Sequence, residues 1–188
     1  MSAEDAVAGL LVLATIAYAV LGGADFGGGI WDAFARGPRK LDQRAAIAHA
    51  MGPVWEANHV WLIFMVVLLF SAFPAAYARL STVLFIPVHL VLVGIVLRGA
   101  AFVFRAYSPR AVGERMPAVQ TWGALFGMAS VITPLLLGCV LGALASGDAA
   151  RGNWLGPVPL LFGVFAVLLC AYVAAVYLCL ETTGDLQN

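Results

Sequence analysis

Residues 157–180 read PVPLLFGVFAVLLCAYVAAVYLCL, which is 24 consecutive positions without a charged side chain. A helix needs roughly 20 mainly apolar residues to cross the hydrocarbon core of a bilayer, because each residue advances it by only about 1.5 Å. The stretch therefore predicts a membrane-spanning helix, and the composition of the whole chain must be compatible with a membrane protein.

The whole chain has the composition of a membrane protein. Of its 188 residues, 63% are hydrophobic and 11% are charged, whereas about a quarter of the residues in a typical soluble domain are charged. The net charge is zero, and no basic or acidic tail suggests a nucleic-acid partner. The three cysteines lie in apolar runs, and no Cys-x-x-Cys pair occurs, which argues against an iron–sulfur or structural zinc site.

Four further apolar runs are long enough, or nearly long enough, to span a bilayer. We place the five predicted spans near residues 7–28, 53–73, 80–104, 119–145 and 157–180. The first run follows Glu4 and Asp5 instead of basic residues, so we interpret it as a span and not as a cleavable signal peptide. The prediction is an all-α membrane protein with about five transmembrane helices in a single domain, 1–188.

The basic residues between the spans predict the orientation of the chain. Seven lie on one side of the membrane and two on the other: Arg36, Arg39, Lys40, Arg44, Arg105, Arg110 and Arg115 against Arg79 and Arg151. Because loops rich in lysine and arginine stay in the cytoplasm, we expect the N-terminus outside and the C-terminus, after five crossings, inside.

Five ionisable residues fall within the predicted spans: Asp25, Glu56, His59, His89 and Arg98. Each costs about 2.5–3.5 kcal/mol on membrane-insertion scales if it is charged, so each one needs a reason. With the orientation above, all of them except His89 are expected near the cytoplasmic ends of their spans. Glu56 and His59 would lie in the first two turns of the second span and share one helix face, since they are three residues apart.

Carboxylates, an imidazole and a guanidinium at one depth can accept and release protons, which is the requirement for a proton relay. Structural explanations remain open for each group. Asp25 fits the membrane interface if the first helix ends at the glycine run 27–29. Arg98 fits a side chain that reaches out to the cytoplasmic interface, and Glu56 fits a carboxylate stabilised by the dipole in the first turn of a helix.

The two histidines in the spans also have more than one explanation. His59 can be a hydrogen-bonded packing residue instead of a relay member. His89, near the middle of the third span, can ligate haem iron, although a lone histidine more often packs against a polar neighbour. The sequence alone leaves both choices open.

Two stretches resemble subunit II of the cytochrome bd-type quinol oxidases: GGADFGGG at 22–29 and GPVWEANHVWL at 52–62. Further similarities follow in order along the chain at 73–74, 97–99, 122–123 and 181–187, where the residues are FP, LRG, WG and ETTGDLQ. The second stretch is the most specific, and we interpret its Trp55, Asn58 and Trp61 as motif and packing residues.

This resemblance implies a fold and a function. The fold would be a four-helix bundle plus one further helix. The family's complex oxidises quinol and reduces dioxygen to water; haems b and d belong to the partner, subunit I, and this chain would bind no cofactor of its own. Asp25 and Glu56 would deliver cytoplasmic protons to that partner. A small single-span subunit, membrane lipid or quinone are further expected partners, in a bacterial or archaeal cytoplasmic membrane.

The chain departs from the family pattern in three respects. Gly22 and Val103 stand where some members have further acidic residues, so a proton route here would have fewer side chains that can carry a proton. The chain also has about half the usual length, as expected of a fragment or of one part of a split subunit. A small proton-coupled transporter or channel, or a purely structural membrane subunit, is the alternative function.

Overall fold

Six α-helices make up the part of the chain that the structure, a computed structural model, describes, residues 2–106 and 117–182. They are α1 (Ala3–Phe34), α2 (Lys40–Ala72), α3 (Pro74–Val83), α4 (Phe85–Ala106), α5 (Pro117–Ser146) and α6 (Pro157–Glu181), with a short 3-10 turn, Asp148–Arg151, before α6. These ranges contain no strand. Arg110 and Arg115 of the charge argument, and residues 183–187 of the last family motif, lie outside the described residues.

Five of the six helices, α1, α2, α4, α5 and α6, are long and apolar enough to cross a membrane. The prediction of an all-α protein with about five spans is therefore confirmed. The short helix α3 connects α2 to α4, and it begins at Pro74, whose missing N–H costs nothing in the first turn of a helix. The orientation of the termini stays a prediction.

Two predicted spans are shorter than the helices that contain them. α1 continues through the glycine run 27–29 to Phe34, so the alternative in which the helix ends at those glycines is wrong. α2 begins at Lys40 and not near residue 53, which places Glu56 in its fifth turn instead of its first two. Hydropathy marks only the apolar part of a helix, whereas the helical hydrogen bonds continue into polar sequence.

The remaining predicted spans agree closely with α4, α5 and α6, except that residues 80–83 belong to α3. α1 packs against α2, α5 and α6, and α5 packs against α1, α4 and α6. Glycines allow these helices to approach closely. A Cβ at Gly27 on α1 would overlap the carbonyl oxygen of Cys170 on α6, and a Cβ at Gly138 on α5 would lie 2.5 Å from the carbonyl oxygen of Phe162 on α6.

Candidate functional site

A buried ion pair between Asp25 on α1 and Arg98 on α4 lies at the centre of the candidate site. Arg98 Nη1 donates to Asp25 Oδ2 at 2.7 Å, and Nη2 donates to Oδ1 at 2.8 Å and to the Asp25 carbonyl oxygen at 2.6 Å. The two residues are 2% and 3% exposed. Such paired, short hydrogen bonds between a guanidinium and a carboxylate are among the strongest in proteins.

Polar side chains on two further helices form hydrogen bonds with this ion pair. Asn58 on α2 donates through Nδ2 to Asp25 Oδ2 at 3.2 Å, and Arg98 Nε donates to Ser130 Oγ on α5 at 3.0 Å. The guanidinium also lies over the rings of Phe26 and Phe126, 5.2 and 4.8 Å from their centroids. One polar side chain from each of α1, α2, α4 and α5 therefore joins four spans at one level.

This geometry excludes two of the structural explanations. Arg98 does not reach out to the interface, because its guanidinium is enclosed and bonded to Asp25 and Ser130. α1 does not end at the glycine run next to Asp25, because it continues for nine residues beyond that carboxylate. Protonating Asp25 would leave the positive charge of Arg98 buried without a partner, which is costly in a low-dielectric interior. The pair is consequently suited to holding the helices together rather than to exchanging protons.

His59 is next to this ion pair but does not belong to it. Its Nδ1 lies 3.1 Å from the carbonyl oxygen of Trp55, and since a carbonyl can only accept, Nδ1 must carry a hydrogen. The neutral ring therefore has its lone pair on Nε2, which is where it can take up a proton. His59 is half-buried and lines a small cavity together with Asp25 and Asn58.

Glu56 has the opposite environment. It is exposed, and no residue in the described part of the chain forms a hydrogen bond or an ion pair with it. It shares its face of α2 with Val60, Ile63 and Val67, which are also exposed. The structure therefore separates Glu56 from Asp25 and Arg98, and its position in the fifth turn excludes stabilisation by a helix N-terminus.

The aromatic motif residues of α2 differ in their surroundings. The Trp55 ring lies 5.8 Å from that of Phe102 on α4 and 5.0 Å from that of His59, so it links α2 to α4 beside the cavity. Trp61 is half-buried, and its ring contacts Phe64 of its own helix at 6.2 Å. Only Asn58 among the predicted motif residues bonds directly to the ion pair.

Three pockets among the described residues, of about 350, 470 and 630 Å³, have no histidine in their walls, and the cavity beside His59 measures only about 10 Å³, too small for a porphyrin. His89 is exposed, and its Nδ1 is engaged with the carbonyl oxygen of Phe85 at 2.7 Å. Within the described ranges, no three His, Cys, Asp or Glu side chains could hold a metal ion.

A second ion-pair layer was not predicted. Asp32 is buried on α1, two turns beyond Asp25, and accepts hydrogen bonds at 3.0 Å from Nη1 and Nη2 of Arg105 on α4. Arg44 on α2 lies 3.7 Å from the same carboxylate and donates to the Asp32 carbonyl oxygen. In both ion pairs, the aspartate on α1 and the arginine on α4 are 73 residues apart in the sequence. This equal separation is expected when the two helices run in the same direction.

Asp32→Asn is expected to lower the free energy of unfolding by about 1–3 kcal/mol, because Arg105 and Arg44 would lose the negative charge that they share. Both arginines are partly exposed, which limits the loss. Thermal unfolding of the purified chain in detergent measures the effect, and Asp42→Asn, at an exposed position on α2, is the matched control. Equal unfolding temperatures for the two variants would contradict a structural role for this layer.

The fold and the two ion-pair layers define a multi-pass membrane protein whose spans are joined through buried charges. The profile of the family described as cytochrome bd terminal oxidase subunit II matches residues 3–188. The chain belongs to that family, which confirms the resemblance seen in its motifs.

Individual relatives agree with the family match. The chain is 31% identical over 188 residues to cytochrome bd ubiquinol oxidase subunit 2 of Bacillus subtilis, covering 95% of this chain and 54% of the relative. It is 30% identical over 185 residues to cytochrome bd-I ubiquinol oxidase subunit 2 of Escherichia coli K12, with 92% and 47% covered. The chain thus spans about half the length of these curated relatives.

Proposed function

We propose that the chain is part of subunit II of a cytochrome bd-type quinol oxidase in the bacterial cytoplasmic membrane, where it supports a haem-bearing subunit I and contributes a route for cytoplasmic protons. The observation that carries this proposal is Glu56, a carboxylate exposed on an otherwise apolar face of a membrane-spanning helix. Because a charged group in contact with lipid is costly, this face of α2 is best explained as a contact with another subunit.

The haems b and d of the complex belong, in this proposal, to subunit I. The haems supply the electron transfer to dioxygen when they are bound in the partner. The contribution of this chain is to hold the helices in place and to move protons.

Within the chain, we divide the four predicted route residues into two pairs. Asp25 and Arg98 neutralise each other and fix the helices, because neither can change its charge without leaving the other unpaired. Glu56 and His59 carry the proton, since the Glu56 carboxylate has no fixed partner in the described part of the chain and Nε2 of His59 is the open nitrogen. They lie three residues apart on α2, and side chains at this spacing are neighbours on the surface of a helix.

Purification of the tagged chain from its native membrane in mild detergent tests the proposal. We expect it to co-elute with a larger membrane subunit, with haem absorption bands in stoichiometric amount and with oxidation of added quinol. A colourless chain that elutes alone from membranes with intact oxidase activity would overturn the proposal and favour a proton-coupled transporter.

A further inference from the structure

Two buried polar atoms beside the ion pair lack a hydrogen-bond partner among the described residues. They are the hydroxyl of Tyr18 on α1 and Oδ1 of Asn58 on α2. Tyr18 is 9% exposed and Asn58 is 3% exposed. More than nine-tenths of buried polar groups in native proteins are satisfied by protein or by ordered water, so two unsatisfied atoms on facing helices need an explanation.

Both residues line the same cavity, whose volume is about 10 Å³. Asp25 and His59 also line it, and the remaining wall is largely apolar, formed by Phe26, Trp55, Leu62, Ile95 and the arginine of the ion pair. A volume of about 10–15 Å³ accommodates one water molecule, which needs two to four polar partners to be held. The cavity meets both conditions.

We propose that this cavity is a binding site for one structural water molecule between α1 and α2. The water accepts the hydrogen of the Tyr18 hydroxyl and donates one of its own to Asn58 Oδ1. Its second hydrogen is donated to Asp25 or to His59, which also line the cavity. The site satisfies both unpaired atoms at once, and it adds Tyr18 to the polar residues at this level.

The water site stands independently of the proposed function, because it follows from packing and hydrogen bonding within this chain.

Radiolytic labelling tests for the water directly, since an X-ray pulse converts bound water into hydroxyl radicals that oxidise adjacent side chains. The sample is the chain purified from its native membrane with the subunits that co-purify, and an added water-soluble dosimeter dye normalises the dose. We expect Tyr18 to be labelled although it is buried. Gly22→Ala should abolish this labelling, because the new Cβ would lie 3.2 Å from Asn58 Oδ1 and 3.6 Å from the Tyr18 ring.

Gly23→Ala is the matched control, because its Cβ would meet nothing nearer than 4.0 Å and would face α6. This variant should keep the labelling of Tyr18 at the level of the unmodified chain. Absence of label on Tyr18 in the unmodified chain, or equal labelling in Gly22→Ala and Gly23→Ala, would overturn the proposal.

Thermal unfolding of Tyr18→Phe gives a second, independent test. If the hydroxyl is bonded to water, its removal deprives the water of one partner and lowers the unfolding temperature. If the hydroxyl is truly unpaired, its removal relieves a penalty, and the unfolding temperature rises or stays the same. The second result would contradict the proposal, with Tyr172→Phe at an exposed position as the control.

Discussion

Arg98→Leu is expected to leave little stably folded protein in the membrane. The substitution removes the counter-ion of Asp25, a carboxylate that is 2% exposed and otherwise keeps only its bond from Asn58. Removing one partner of a buried ion pair costs about 3–5 kcal/mol, a large share of the roughly 5–15 kcal/mol that stabilises a typical protein. The measurement is the yield and the thermal unfolding of the purified variant.

Three further variants separate charge from packing at this site. Arg79→Leu, at an exposed position on α3, controls for the loss of an arginine and should behave as the unmodified chain. Arg98→Lys keeps the charge but not the paired geometry, so an intermediate stability is expected. The double variant Asp25→Leu with Arg98→Leu removes both buried charges and should be more stable than Arg98→Leu alone.

A result in which Arg98→Leu unfolds at the temperature of the unmodified chain would show that the ion pair does not hold the bundle. Equal loss in Arg98→Leu and in the double variant would instead show that volume, and not the unpaired charge of Asp25, determines the loss. Either result would remove the argument that Asp25 and Arg98 are fixed partners rather than proton carriers.

The five spans were predictable because their signal is local. A run of apolar residues such as 157–180 reveals its length and composition without reference to the rest of the chain. The start of α2 was not predictable in this way, since residues 40–52 carry charged groups and continue the helix outside its apolar part. The consequence was a wrong position for Glu56 within α2.

Which residues of the site contact one another could be determined only from the folded structure. The sequence placed Asp25, Glu56, His59 and Arg98 at one depth, but depth does not determine which of them touch. Each residue turns a helix by about 100°, so the rotation of α2 decides whether Asn58 or Glu56 meets Asp25. The structure selects Asn58. Ser130, the fourth member, was one of several small polar residues in the spans, and only packing against Arg98 distinguishes it.

Asp32 was overlooked for a related reason. The predicted first span ends near residue 28, so Asp32 lies outside it, in a segment that hydropathy leaves unassigned. An acidic residue in a segment that otherwise carries Arg36, Arg39 and Lys40 was nevertheless a usable signal. Its pairing with Arg105 also repeats the spacing of Asp25 and Arg98, which the parallel course of α1 and α4 explains.

Glu56→Gln is expected to lower quinol-driven oxygen consumption by about 10²-fold, the lower range of the contribution that a positioned proton-transfer group makes. Glutamine has the size of glutamate but cannot exchange a proton, and Glu56 has no partner in the described part of the chain whose loss would destabilise it. Assembly and haem content of the purified complex should therefore stay unchanged. The rate is measured at saturating quinol.

Two variants decide how that loss is interpreted. Glu4→Gln, an exposed glutamate near the start of α1, should keep the full rate. Glu56→Asp keeps a carboxylate on a shorter side chain and should recover part of the rate, which a purely structural role of Glu56 would not produce. If assembled Glu56→Gln instead consumes oxygen at the unmodified rate, Glu56 carries no proton. The exposed carboxylate on α2 would then be a contact with subunit I alone, and this chain a structural partner of the oxidase.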